Sequence, residues 1–160
     1  MSLKIGDFAP DFTLKSHRLE NVTLSGFKGK ANVVILFFPL VNTPVCEKEL
    51  CQMRDDMATY ESLDAQVLAV SVDSSFAQKL WVEKNQFTFL VLSDFNKEVS
   101  ASYGVLYDIF APGNLNYKGV AKRSAFVIDK EGMVKYAEVL EDAGEEPDYE
   151  AIQGALALLN

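Results

Sequence analysis

The chain has 160 residues, 49% of them hydrophobic, with a formal net charge of −8 and an isoelectric point of about 4.6. That size suggests one domain, residues 1–160, able to bury a core without metal or disulfide staples, and the composition excludes a disordered or fibrous chain. The acidic balance argues against nucleic acid and anionic membranes as partners, while leaving room for a local basic patch that docks an acidic reductase.

No apolar run approaches the roughly 20 residues that cross a bilayer, and no charged segment followed by an apolar core opens the chain. Two cysteines in such a sequence suggest a reducing cytoplasm, where a cysteine pair is more often catalytic or metal-binding than structural.

In chain order, Gly6 and Pro10 punctuate the start, and Phe12-Thr13-Leu14 reads as a short strand. Residues 15–21 are polar and turn-like, so the only histidine, His17, is expected as an exposed loop side chain. Val22-Thr23-Leu24 gives another short strand, followed by a turn at Gly26 and Gly29. Residues 32–38 form an apolar run of buried-strand character, and residues 43–60 read as one helix. A second buried strand covers 66–72, and Asp73-Ser74-Ser75 ends it and caps a helix over 75–85 with an apolar stripe of Phe76, Leu80 and Trp81.

Residues 87–92 are extended, 96–103 are a short helix ending at Gly104, and 105–121 are irregular. Residues 125–129 and 133–140 pair through the turn Asp129-Lys130-Glu131-Gly132. An acidic loop over 141–147 leads to an amphipathic helix carrying Tyr149, Ile152, Leu156 and Leu159. Alternation of strands and helices, closed by a hairpin and a helix, is an α/β layout: a central mixed β-sheet flanked by helices.

The chemistry concentrates after the first buried strand, in Pro39-Leu40-Val41-Asn42-Thr43-Pro44-Val45-Cys46. Thr43 stands at an N-cap position, and Pro44 at the first helical position, where its missing N–H costs nothing. Cys46 then falls among unpaired backbone N–H groups at the positive end of the helix dipole, which favours the thiolate over the thiol. Leu50, Met53, Met57 and Tyr60 share one helix face. Cys46 is in phase with it, and Cys51 lies roughly 140° away, so Cys46 should point inward and Cys51 toward solvent or a partner. The plain alternative is two idle core cysteines.

The spacing Pro39, Thr43, Cys46 resembles the active-site signature of the peroxiredoxins, and the likeness extends over nearly the whole chain, from Gly6-Asp7-Phe8-Ala9-Pro10-Asp11-Phe12 to the C-terminal helix. The resemblance implies a thioredoxin-like fold with a peroxiredoxin N-terminal extension and a thiol-dependent peroxidase acting on hydrogen peroxide and organic hydroperoxides. It implies that Cys46 attacks the peroxide and becomes a sulfenic acid, that Thr43 hydrogen-bonds at the peroxide site, and that Pro39 shields the sulfur. It further implies that Arg123, in Lys122-Arg123-Ser124-Ala125-Phe126, stabilises the thiolate and the transition state.

Cys51 is similar to the resolving cysteine of the bacterioferritin-comigratory, or Q-type, branch. Phe37-Phe38-Pro39-Leu40, Phe87-Thr88-Phe89 and Leu92-Ser93-Asp94-Phe95 are closer to the one-cysteine AhpE-like branch. Asn42 departs from the family's usual aromatic or apolar residue. The implied partner is thioredoxin or a similar dithiol. The related branches include monomers and dimers; Phe76, Trp81, Tyr107 and Phe110 are either the surface of a homodimer or plain core, and no cofactor is expected.

Glu49 lies near Cys46 on the helix, where it either orients an arginine or is a solvated carboxylate. Five residues of intact helix separate Cys46 from Cys51 by about 7.5 Å of rise. A disulfide needs Cα atoms within about 7 Å, so their pairing requires the first turns of the helix to unwind. Three rivals are weaker. A disulfide oxidoreductase prefers Cys-x-x-Cys, which is absent, and two cysteines with one distant histidine fall short of a metal site. A redox sensor built on a Cys46–Cys51 switch would react with peroxide without rapid turnover.

Overall fold

The computed structural model describes residues 2–160. Its frame grows from β3 (Asn32–Phe37), whose six residues are all buried. A strand buried on both faces needs apolar side chains at odd and even positions alike, and parity sends them to opposite faces. Val34 and Leu36, continued by Phe38, pack with Leu50, Met53, Trp81, Ile152 and Leu156; Val33, Ile35 and Phe37 pack with Phe12, Tyr103, Val105 and Phe126 on the other side.

β3 pairs in parallel with β4 (Ala65–Ser71) and antiparallel with β6 (Ser124–Ile128). β4 pairs in parallel with β5 (Leu90–Ser93) through the crossover helix α3 (Ser75–Asn85). β6 turns into β7 (Val134–Val139), while β1 (Thr13–Ser16) joins β5 and β2 (Asn21–Thr23) to complete the far edge. The result is one mixed seven-stranded sheet in the order β2-β1-β5-β4-β3-β6-β7. α1 (Pro44–Asp55), α3 and α5 (Tyr149–Ala157) cover one face; α4 (Glu98–Ser102) adds Val99 to the other.

Several expectations are corrected. The helix expected over 43–60 is two: α1 stops at Asp56, whose φ of −95° and ψ of 6° leave the helical region, and α2 (Met57–Ser62) restarts beyond it. Aspartate is a weak interior helix former, and Asp56 marks the break even though Gln52 Nε2 donates to its Oδ2 at 2.9 Å across one turn. His17 is buried rather than exposed, because the loop folds back on β5: His17 N donates to Val91 O, and Val91 N donates to His17 Nδ1 at 3.3 Å. Burial pushes its pKa below the ordinary value.

The stripe expected on α3 divides. Trp81 is core, in contact with Phe38 and Phe87, while Phe76 and Leu80 are exposed. The extended run after α3 becomes a strand only from Leu90; before it Phe87 and Phe89 stack on each other, with Phe87 edge-on to Trp81.

Candidate functional site

The β3–α1 connection carries the site. Pro39 is buried at the end of the strand run, and Asn42 adopts a left-handed φ of 64°, a conformation asparagine tolerates better than most residues. Thr43 is then extended and Pro44 opens α1. Thr43 holds the N-cap position, but its side chain does not cap the helix as expected: Oγ1 donates to Leu40 O at 2.8 Å. With its proton committed there, the hydroxyl faces any further ligand as an acceptor.

Cys46 is 1% exposed and points into the core. The register Phe37↔Ser124 sets the start of β6 beside the end of β3, so Arg123, the residue before β6, reaches the first turn of α1. Its Nη1 and Nη2 each lie 3.3 Å from Cys46 Sγ. Nη1 also donates to Glu49 Oε1 at 2.8 Å and Nη2 to Ala143 O at 2.9 Å. Glu49 and Arg123 are both fully sequestered, so Glu49 is no solvated carboxylate.

The electrostatics follow from that isolation. Burial pushes the Glu49 carboxyl up to about 7, against the opposing pull of Arg123. Burial works to lower the pKa of Arg123, but the charges of Cys46 and Glu49 outweigh it and hold the guanidinium above its ordinary value. Two guanidinium N–H groups converge on the one sulfur, so positive charge is aimed at the atom where chemistry would place negative charge. Glu49 Oε2 and Arg123 Nε have no protein partner.

Cys51 departs from its expected outward position. It is half-buried, packs at the margin of the core, and lies with Sγ 4.0 Å from Asn85 Oδ1 at the end of α3. Burial pushes its thiol pKa up, opposed by Arg54. Both cysteines are free thiols on one unbroken helix.

The structure thus brings Cys46, Glu49 and Arg123 together and keeps Cys51 apart. Two participants escaped sequence reasoning: Ala143, which acts through a backbone carbonyl and has no side-chain signal, and Glu146. The latter bridges Lys48 at 3.1 Å and accepts from Tyr149 Oη at 2.7 Å, so the acidic loop closes over the first turns of α1. Among the described residues, no group of three or more His, Cys, Asp or Glu stands together to hold a metal ion. Nor, among them, is any helix long and apolar enough to cross a membrane.

Residues 5–137 match the AhpC/TSA family. The chain belongs to that family. It is 39% identical over 159 residues to alkyl hydroperoxide reductase E of Mycobacterium tuberculosis, covering 98% of each sequence. Among solved structures it resembles peroxidoxin BcpB from the same organism, with a TM-score of 0.85, 28% identity and 99% of each chain covered. It also resembles a peroxiredoxin-like protein from Aquifex aeolicus, with a TM-score of 0.88 and 34% identity over all of this chain and 90% of that one. The mixed sheet with helices on both faces is therefore the thioredoxin-like peroxiredoxin fold expected from the sequence. As an AhpC/TSA protein the chain is an oxidoreductase that reduces peroxides at the expense of a thiol.

Proposed function

We propose that Cys46 is the sulfur that reacts with peroxide and that Arg123, Glu49, Thr43 and Pro39 serve it. The observation that carries this reading is the pair of Arg123 N–H groups, each 3.3 Å from the sulfur of a buried cysteine at a helix start. The Cys46 thiolate attacks one oxygen of the O–O bond. That bond breaks, its electron pair leaves with the other oxygen as alkoxide or hydroxide, which takes up a proton, and the sulfur is oxidised by two electrons to sulfenic acid. Arg123 stabilises the thiolate before attack and the negative charge on the leaving oxygen during it. Glu49 holds the guanidinium in orientation. Thr43 Oγ1, its own proton spent on Leu40, accepts the hydrogen of the incoming hydroperoxide, and Pro39 shields the sulfur.

Cys51 is the proposed resolving residue. Its thiolate attacks the Cys46 sulfenic acid, an S–S bond forms, and hydroxide leaves to be protonated to water. The disulfide is then reduced by thioredoxin or a similar dithiol, in a cytoplasmic setting. The position of Cys51 against α3 supports one alternative: an external thiol reaches the Cys46 sulfenic acid first, and the enzyme works with one cysteine.

Intact mass after one equivalent of hydrogen peroxide separates the two. Loss of two hydrogens in the wild type, no reaction in Cys46→Ser, and sulfenic or sulfinic acid in Cys51→Ser support the two-cysteine route. Oxidised Cys46 with no internal disulfide supports the external thiol, and an unreactive Cys46 removes the reading altogether.

A further inference from the structure

We propose that Asp73 is a positioning residue for peroxide reduction, one carboxylate oxygen of which suspends the loop that carries Thr43. Asp73 lies in the turn between β4 and α3, away from the Cys46–Arg123–Glu49 cluster in sequence. Its Oδ2 accepts two hydrogen bonds: from Val41 N at 2.9 Å and from Ser71 Oγ at 2.7 Å.

The direction of the chain is fixed from behind. Gln78 Nε2 donates to Ser71 Oγ at 3.0 Å and to Leu92 O at 2.7 Å, so the Ser71 proton is free to go only to Asp73. Ser71 and Gln78 are fully buried, and Ser93 Oγ holds the backbone of Asp73 from the other side at 2.6 Å. Anchored at its buried end by Gln78 and Ser71, this chain of bonds restricts where the half-buried Asp73 carboxylate can sit.

What they hold is a left-handed turn: Asn42 follows Val41 at a φ of 64°, a conformation that asparagine tolerates better than most residues and that the neighbouring hydrogen bonds keep in place. The Asp73–Val41 bond precedes Asn42, and the Thr43–Leu40 bond closes the loop around it. Without Asp73, Val41 N loses its acceptor, Asn42 relaxes and Thr43 Oγ1 swings from its place. Cys46 and Arg123 stay, because α1 and β6 anchor them independently. The consequence is selective: the sulfur stays reactive, but the acceptor that aligns the peroxide is misplaced, and misplacement of about 1 Å can cost as much as a hundredfold.

Both bonds fall on the same oxygen, so the roles of acceptor and charge can be separated. The amide oxygen of Asp73→Asn can accept from Val41 and Ser71 together. The experiment is rapid-mixing oxidation of Cys46 by hydrogen peroxide, beside alkylation of Cys46 by iodoacetamide, which does not need the aligned Thr43 acceptor. Asp73→Ala should lower the peroxide rate constant about tenfold, the worth of a hydrogen bond to a charged group, with alkylation within about twofold of wild type; Asp73→Asn should keep both rates within about twofold. A wild-type peroxide rate in Asp73→Ala overturns the proposal, as does equal loss in both variants, which would assign the effect to charge. Should Asp73→Ala fail to fold, Ser71→Ala decides. It removes one of the two donors that orient Oδ2 and should slow peroxide oxidation about threefold; a wild-type rate there overturns the proposal. The inference rests on Cys46 as the reacting sulfur, and undiminished peroxide consumption by Cys46→Ser would show that reading itself to be at fault.

Discussion

Glu49 sits where a carboxylate is expensive. It is fully buried, one oxygen bonds to Arg123 and the other has no partner. A buried ion pair gives modest net stability, but removal of one member leaves the other charge uncompensated at about 3–5 kcal/mol. Arg123→Met should therefore lower stability by that order and slow Cys46 oxidation at least a hundredfold, read by chemical melts and by rapid mixing with peroxide. A fully active, stable variant would remove Arg123 from both roles. A pH effect also follows. The folded protein holds the Glu49 proton up to about 7, above its ordinary value near 4.5. Between these values the folded state binds more protons than the unfolded, so this group's contribution is fully present below about 4.5 and is lost as pH rises through about 7. In Glu49→Gln the amide nitrogen takes the place of the partnerless oxygen and mimics the protonated acid. The variant should gain on the wild type as pH rises across that window, in urea melts at both ends of it, and a difference that does not change with pH would refute the assignment.

At the scale of elements, α1 carries both cysteines. The proposed Cys46–Cys51 disulfide requires one part of it to unwind, and the two halves are not equally costly. The first half buries Cys46, Glu49 and Leu50 and includes the Arg123 ion pair. The second half buries Met53, is tied to α3 by Arg54 Nη1 donating to Asn85 O at 2.7 Å, and already ends in the break at Asp56. Exposing Glu49 and Arg123 costs more than exposing one methionine and one surface arginine, so the moving part should be residues 51–56 rather than the first turns. Hydrogen exchange on the disulfide form should show lost protection over 51–56 and retained protection over 44–49. Equal protection in both redox forms would rule out local unfolding, and the reverse pattern would restore the first turns as the moving part. Helix phase in the sequence was enough to place Cys46 inward, since Leu50 and Met53 share its side. It could not place Cys51, whose neighbour Asn85 arrives from another helix 34 residues away.

For the molecule as a whole, the legible features were those with a short period. The apolar run of β3, the β6–β7 turn and the capped start of α3 each declare themselves within a few residues. His17 was misread because its polar neighbours describe a loop, while its burial is created by β5 more than 70 residues on. Of the surface expected to pair two copies, Trp81 belongs to the core and Tyr107 and Phe110 are half-buried. What α3 does expose is Phe76, at 69%, and Leu80, at 71%, one helical turn apart on the same side. A concave surface formed by Val41, Asn42, Ala77, Leu80, Trp81 and Lys84 runs from Leu80 to the β3–α1 loop. A second copy seated there would cover the exposed Phe76 and Leu80 and would press on the loop that holds Thr43. Sedimentation at micromolar concentration should then show a dimer for the wild type and a monomer for Phe76→Asp combined with Leu80→Asp. A monomeric wild type would remove this surface as a homodimer contact, and a dimer that survives both substitutions would move the contact elsewhere on the molecule.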